Sequence, residues 1–196
     1  MSPPSQDELI LQPTGTGPPR SLGKSKLQFA TAVFVPDGTA IVSIARETGR
    51  GWRLYRQGLG EGEPPKAFSE EGLASDRLAV SPDGRFVAAR GRDEKMCLYP
   101  LSGDSPRCFD AGYGVEPLQW SADGRFLFVC STNDIPGRID RLDVASGHRE
   151  LWKNFGPSDL AGIQRFRRVA MSPGGASIVY STERVFCTLF VINGLR

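Results

Sequence analysis

A four-residue corner recurs four times along this chain, as Val35-Pro36-Asp37-Gly38, Ser81-Pro82-Asp83-Gly84, Ser121-Ala122-Asp123-Gly124 and Ser172-Pro173-Gly174-Gly175, with an apolar, strand-like run on each side. Proline at the second position pre-sets φ, Asp tolerates the third, and Gly accepts the positive φ that turns the chain back into an antiparallel partner. The final glycines fall at 38, 84, 124 and 175, so the steps are 46, 40 and 51 residues. That is close to the period of a repeat whose unit is a four-stranded sheet. The strands after the corners, such as Arg85–Arg90 and Arg125–Cys130, are too apolar for a sheet with one wet face. They predict burial between neighbouring sheets.

Each repeat parses into strands a, b, c and d, with the corner joining a to b. The first whole unit is read as Phe29–Val35, Ala40–Arg46, Trp52–Gln57 and Pro65–Phe68. The second is Arg77–Ser81, Arg85–Arg90, Lys95–Tyr99 and Arg107–Phe109, and the third Pro117–Ser121, Arg125–Ser131, Arg138–Asp143 and Arg149–Trp152. A fourth unit supplies Phe166–Met171, Ala176–Ser181 and Cys187–Ile192, and Glu8–Gln12 with Arg20–Leu22 read as a c and a d strand before the first unit. The prediction is an all-β propeller arc of antiparallel four-stranded blades forming one domain over residues 1–196, with three complete blades (28–69, 77–110, 116–153) and two partial ones (8–22, 166–192). It closes as a four-bladed ring if the first d strand pairs with the last c strand. Otherwise it is an open arc from a larger propeller, the arrangement favoured by the additional N-terminal c strand, and its unpaired edges would self-associate.

Composition narrows the function. The chain has 24 basic and 22 acidic residues, a formal net charge of +2, so no global field favours nucleic acid or an anionic membrane. The one basic stretch, Arg165, Arg167 and Arg168, alternates with apolar residues as a strand does and reads as a solvated face. No apolar stretch approaches the roughly 20 residues of a spanning helix, and Met1–Leu9 is polar rather than a signal peptide. Read literally, the chain is soluble and not exported. Its four cysteines, Cys97, Cys108, Cys130 and Cys187, lack metal-ligand spacing, and neither a metal nor a cofactor is expected. Cys97 and Cys108 flank a turn symmetrically, so a disulfide is geometrically conceivable; two buried free thiols are the preferred reading.

The corners Ser81-Pro82-Asp83-Gly84-Arg85-Phe86 and Ser121-Ala122-Asp123-Gly124-Arg125-Phe126 resemble the blades of TolB-like β-propellers, the WD40-like Pro-Asp repeat family. The Trp-Asp and Gly-His pairs of true WD repeats are absent. The tail from Ala170 to Ser181 with Leu189–Arg196 is similar to the last blade of propellers that end bacterial signalling proteins, notably eukaryotic-like serine/threonine kinases. The resemblance implies a sensory or docking module at the C-terminal end of a larger protein, outside the cytoplasm if that protein is a membrane-anchored kinase.

No catalytic constellation accompanies it. Gly58-Leu59-Gly60-Glu61-Gly62 is followed by Pro64-Pro65, which forbids the helix a phosphate loop needs, and the single histidine, His148, has no Gly-x-Ser-x-Gly partner. The expected function is therefore non-catalytic, with a protein or peptide partner, or a small ligand in the propeller channel. The alternative is an accessory propeller of a hydrolase, peptidase or kinase whose catalytic domain lies outside this chain. In a propeller the b-to-c and d-to-a connections share one face. That places Arg46, Arg50, Arg92, Asp93, Asn133, Asp134 and Arg184 on a rim with Tyr113, where guanidinium groups could meet carboxylates and the tyrosine could anchor a contact.

Overall fold

A computed structural model describes residues 7–60 and 62–188. Among these, β1 (Glu8–Leu11) and β2 (Arg20–Lys24) form an antiparallel hairpin. The first blade is β3 (Leu27–Phe34), β4 (Ala40–Glu47), β5 (Arg53–Gly58) and β6 (Lys66–Ala67). The second is β7 (Leu78–Val80), β8 (Phe86–Arg90), β9 (Met96–Pro100) and β10 (Arg107–Phe109). The third is β11 (Val115–Trp120), β12 (Phe126–Ser131), β13 (Gly137–Asp143) and β14 (Arg149–Phe155), and β15 (Ile163–Met171) pairs with β16 (Ile178–Arg184). Each complete blade is a four-stranded antiparallel sheet in chain order. The fold is a propeller arc. Most of the third strand expected for the last unit, Cys187–Ile192, lies outside the described residues. No helix among the described residues is long and apolar enough to cross a membrane.

The corners form as their residues require. Gly38, Gly84 and Gly124 have φ of 68°, 68° and 70°. In the second and third blades the serine and aspartate brace the turn together. Ser81 Oγ donates to Asp83 Oδ1 (2.6 Å) and accepts from the Phe86 amide, and Ser121, Asp123 and Phe126 repeat the pattern. These bonds favour the ionised carboxyl, so Asp83 and Asp123 sit below their usual pKa. In the last repeat Gly174 replaces the aspartate and has φ 78°, ψ −2°, the values of the third residue of a type II turn. The five-residue span survives, with the Ser177 amide donating to Ser172 Oγ.

Blades stack face to face because their b and c strands are apolar on both sides. On β8, Val87 and Ala89 pack with Val42, Ile44 and Leu54 of the first blade, while Ala88 packs with Trp120, Leu127 and Leu142 of the third. The alternation of a strand sends neighbouring residues into two different cores, which explains why the run lacks polar positions. Smaller clusters join the β1–β2 hairpin to the first blade, through Leu9 and Phe29, and the β15–β16 hairpin to the third, through Ile139, Phe155 and Phe166.

The cysteine expectation is corrected. Cys97 and Cys108 are directly opposed in the β9–β10 register with Cα atoms 4.0 Å apart, and they form a disulfide rather than two buried thiols. Antiparallel pairing across the turn made them face each other, and Cys108 is exposed. Cys130 is a buried free thiol whose pKa burial pushes up to about 12.

Gly175 shows how tightly the last hairpin fits. Its φ is 75°, and a Cβ there would come within 2.5 Å of the Trp152 ring. Gly175→Ala is expected to cost about 1–3 kcal/mol through overpacking and backbone strain. Urea unfolding checks it, and a loss under about 0.5 kcal/mol would contradict this packing.

Candidate functional site: the channel and its rim

Strand direction alternates along a blade, so every second connection leaves on the same side. Pro82, Ala122 and Asp123 of the corners share a groove with Val144 and Ala145 of a c-to-d turn. On the opposite face the b-to-c loops interlock with the d-to-a connections. The Gly51 amide donates to Glu71 Oε2 (2.9 Å), and the Gly114 amide donates to Glu94 Oε2 (3.2 Å). This second face carries the rim residues.

The innermost strands converge beneath the rim on a cavity of about 580 Å³, bordered by Ala30 and Thr31 of β3, Asp76 and Arg77 just before β7, Glu116 of β11, and the Arg165–Ala170 stretch of β15. The volume falls within the roughly 300–1,000 Å³ of ligand sites. Its lining is largely polar.

A charged cluster closes one side. Arg90, at the end of β8, pairs with Glu94 (2.5 Å) and Glu116 (2.9 Å) and donates to the Ala74 carbonyl (2.8 Å). Ser75 Oγ donates to the other Glu116 oxygen. Burial nevertheless dominates at Glu116 and holds its carboxyl above the usual range, against the Ser75 bond and the Arg90 and Arg77 charges. At Glu94 the Gly114 amide, then Arg90, holds the carboxyl below it. The cluster ties a b-to-c loop to two d-to-a connections.

The eight rim residues named from the sequence divide into two groups. Arg46 donates to Gln28 Oε1 (3.0 Å) and stacks on Trp52 with 4.5 Å to the ring centre. Arg184 donates to the carbonyls of Asp159 (2.6 Å) and Ala161 (3.3 Å), and Arg50 pairs with Glu71 at 3.5 Å. These three guanidinium groups are engaged within the protein. Tyr113 is 80% exposed, and Arg92, Asp93, Asn133 and Asp134 are also exposed. Asn133 packs on Gly114, where a Cβ would lie 2.5 Å from its Nδ2, which sets it beside Tyr113. Asp93 and Glu94 both have left-handed φ (64° and 61°), a strain of about 1–3 kcal/mol each that tends to collect at functional loops.

Arg77, Arg90, Glu116 and Arg168 border or close the channel without having been singled out from the sequence as site residues. Their signal was faint: Arg90 ends an otherwise apolar strand, and Glu116 is the one charge in β11. Among the described residues no group of three or more His, Cys, Asp or Glu side chains could hold a metal ion. His148 is exposed beside a c-to-d turn, on the face away from the rim.

No family model matches the chain. It is 28% identical over 137 residues to human echinoderm microtubule-associated protein-like 3, a match covering 65% of this chain and 14% of that protein. TolB from Acinetobacter baumannii superposes with a TM-score of 0.69 at 20% identity, over 90% of this chain and 44% of TolB. An oligogalacturonate lyase in complex with manganese superposes with a TM-score of 0.58 at 14% identity, over 90% of this chain and 66% of the lyase. The chain thus spans about one seventh of the curated relative and under half of TolB. These likenesses establish a TolB-like, WD40-like propeller fold.

Proposed function

We propose that this propeller is a non-catalytic protein-interaction or sensor module that docks a peptide or protein segment on its rim, and that it belongs to the C-terminal part of a larger bacterial signalling protein. The observation that carries the reading is the rim itself. Tyr113 stands exposed among polar side chains on loops held in place by the Arg90–Glu94–Glu116 cluster, so a partner would meet a preorganised surface. The position of His148 on the opposite face supports a binding role over hydrolysis. The signalling context is supported by the resemblance of the tail to the last blade of such proteins.

Selection of displayed peptides on the immobilised chain tests it. Enriched peptides are expected to bind about 30-fold more weakly to Tyr113→Ala, the effect of losing a hot spot of about 2 kcal/mol, and to weaken with Asn133→Ala. Asp104→Ala, at a c-to-d turn, should leave binding unchanged. Peptides sensitive to Asp104→Ala and indifferent to Tyr113→Ala would move docking to the other face.

A further inference from the structure

The inner strand β15 does not keep the two-residue rhythm of a strand. Ile163, Phe166 and Val169 are buried and the pairs between them are exposed, a period of three. Register shifts between Ile163 and Arg165 and between Arg167 and Ala170 account for this, because each bulge inserts a residue without a partner. Arg167 and Arg168, which a regular strand would send to opposite faces, therefore both border the channel.

Their situations differ. Arg165 and Arg167 both donate to Glu183 Oε2 at 2.7–2.8 Å. Arg168 has φ 42°, unfavourable for a residue with a Cβ, and forms no ion pair or side-chain hydrogen bond among the described residues. Arg77 reaches across to β15 and donates Nη1 to the Val169 carbonyl at 3.1 Å, which places its guanidinium at the Val169–Ala170 peptide, one residue on from Arg168. Its remaining N–H groups have no acceptor among the described residues. Neither guanidinium forms an ion pair within 4 Å among the described residues, although the Arg77 charge reaches Glu116, and both residues border the same cavity.

We infer that Arg77 and Arg168 clamp a carboxylate group of a ligand that enters the channel from the rim. Guanidinium forks match a carboxylate in bidentate geometry. The acidic residues bordering the same cavity, Asp76 and Glu116, favour a carboxylate, which brings one negative charge to the clamp itself, over a phosphate group that brings two. The carboxylate belongs either to a free polycarboxylic acid or to an acidic side chain of a docked segment. The inference rests on the docking reading only for the rim as entrance.

Calorimetric titration of the full chain with citrate, with an end-blocked hexaglutamate peptide and with inorganic phosphate tests it. Binding of citrate, of the peptide or of both is expected at low salt, with at least tenfold weakening in Arg168→Gly and in Arg77→Met and in 0.3 M salt. Binding of citrate alone assigns a free acid, and binding of the peptide alone assigns a docked segment. Arg168→Gly should melt at or above the parent temperature, because glycine accepts this φ, so its loss of binding is not loss of fold. Arg141→Met, paired with Glu150 on the third blade, should bind as the parent does. Full affinity in Arg168→Gly, no binding of either carboxylate probe, or tighter binding of phosphate would overturn the clamp. If rim-selected peptides lose affinity with Tyr113→Ala while Arg168→Gly keeps full affinity for citrate and for the hexaglutamate peptide, the clamp fails and rim docking stands.

Discussion

Phe166→Ala should destabilise the chain by about 3–5 kcal/mol, the range for deleting a fully buried aromatic ring. Phe166 is 1% exposed, on the inner strand of the last hairpin. Its ring meets Phe155 edge-on with 4.9 Å between centres and Tyr180 with 5.4 Å, and a Cβ on Gly156 would come within 3.3 Å of it. Its amide also donates to the Thr132 carbonyl (2.9 Å), so ring and backbone both join the β15–β16 hairpin to the third blade. Removing the ring leaves a cavity between two sheets that rigid aromatic neighbours cannot fill. Urea unfolding followed by tryptophan fluorescence measures the effect, with Trp152 in the same cluster as a local reporter. Phe166→Leu should cost less than half as much. A loss below about 1 kcal/mol in the alanine variant would mean that the hairpin is held elsewhere.

Arg90→Met should cost about 3–5 kcal/mol near neutral pH, because it leaves Glu116 charged, 13% exposed at its side chain, and without its closest cation. The pH dependence identifies the cause. Burial already raises Glu116 above 4.5 in the folded protein, so the fold favours its protonated form. Its contribution is therefore fully present below the unfolded pKa and is lost as pH rises through the folded pKa. Without Arg90 that folded pKa moves further up, and the deficit of the variant should be largest at pH 7 and shrink as pH falls towards 5. Arg90→Met with Glu116→Gln should recover much of the loss, since the uncompensated charge is gone. A deficit that is flat from pH 5 to 7 and unrelieved in the double variant would assign the role of Arg90 to packing.

The blades were legible because their rules are local. Asp83 and Gly84 specify a turn within four residues, and the alternation of Val87, Ala88 and Ala89 reports two buried faces within one strand. The rim was legible at the level of loops, since connection order follows strand direction, and Tyr113 stands exposed where that order put it. Arg46 and Arg184 were assigned to b-to-c loops but lie at the ends of β4 and β16, and their hydrogen bonding depends on Gln28 and on the 159–161 connection, neither of which a local pattern reveals. The Cys97–Cys108 pair was read as two thiols because spacing alone does not measure how closely opposed strands approach.

Turn chemistry and double-sided apolar strands, written into short stretches of residues, were enough to dictate a repeating all-β arc. Only the assembled arc decided the chemistry of its centre. Arg77 meets the backbone of β15 across 92 positions, and the bulges that bring Arg167 and Arg168 together arise from pairing with β16 and packing on the third blade. Contacts of that range depend on how sheets stack and slip in register, and a guanidinium is free or paired according to neighbours that only the folded chain brings within reach.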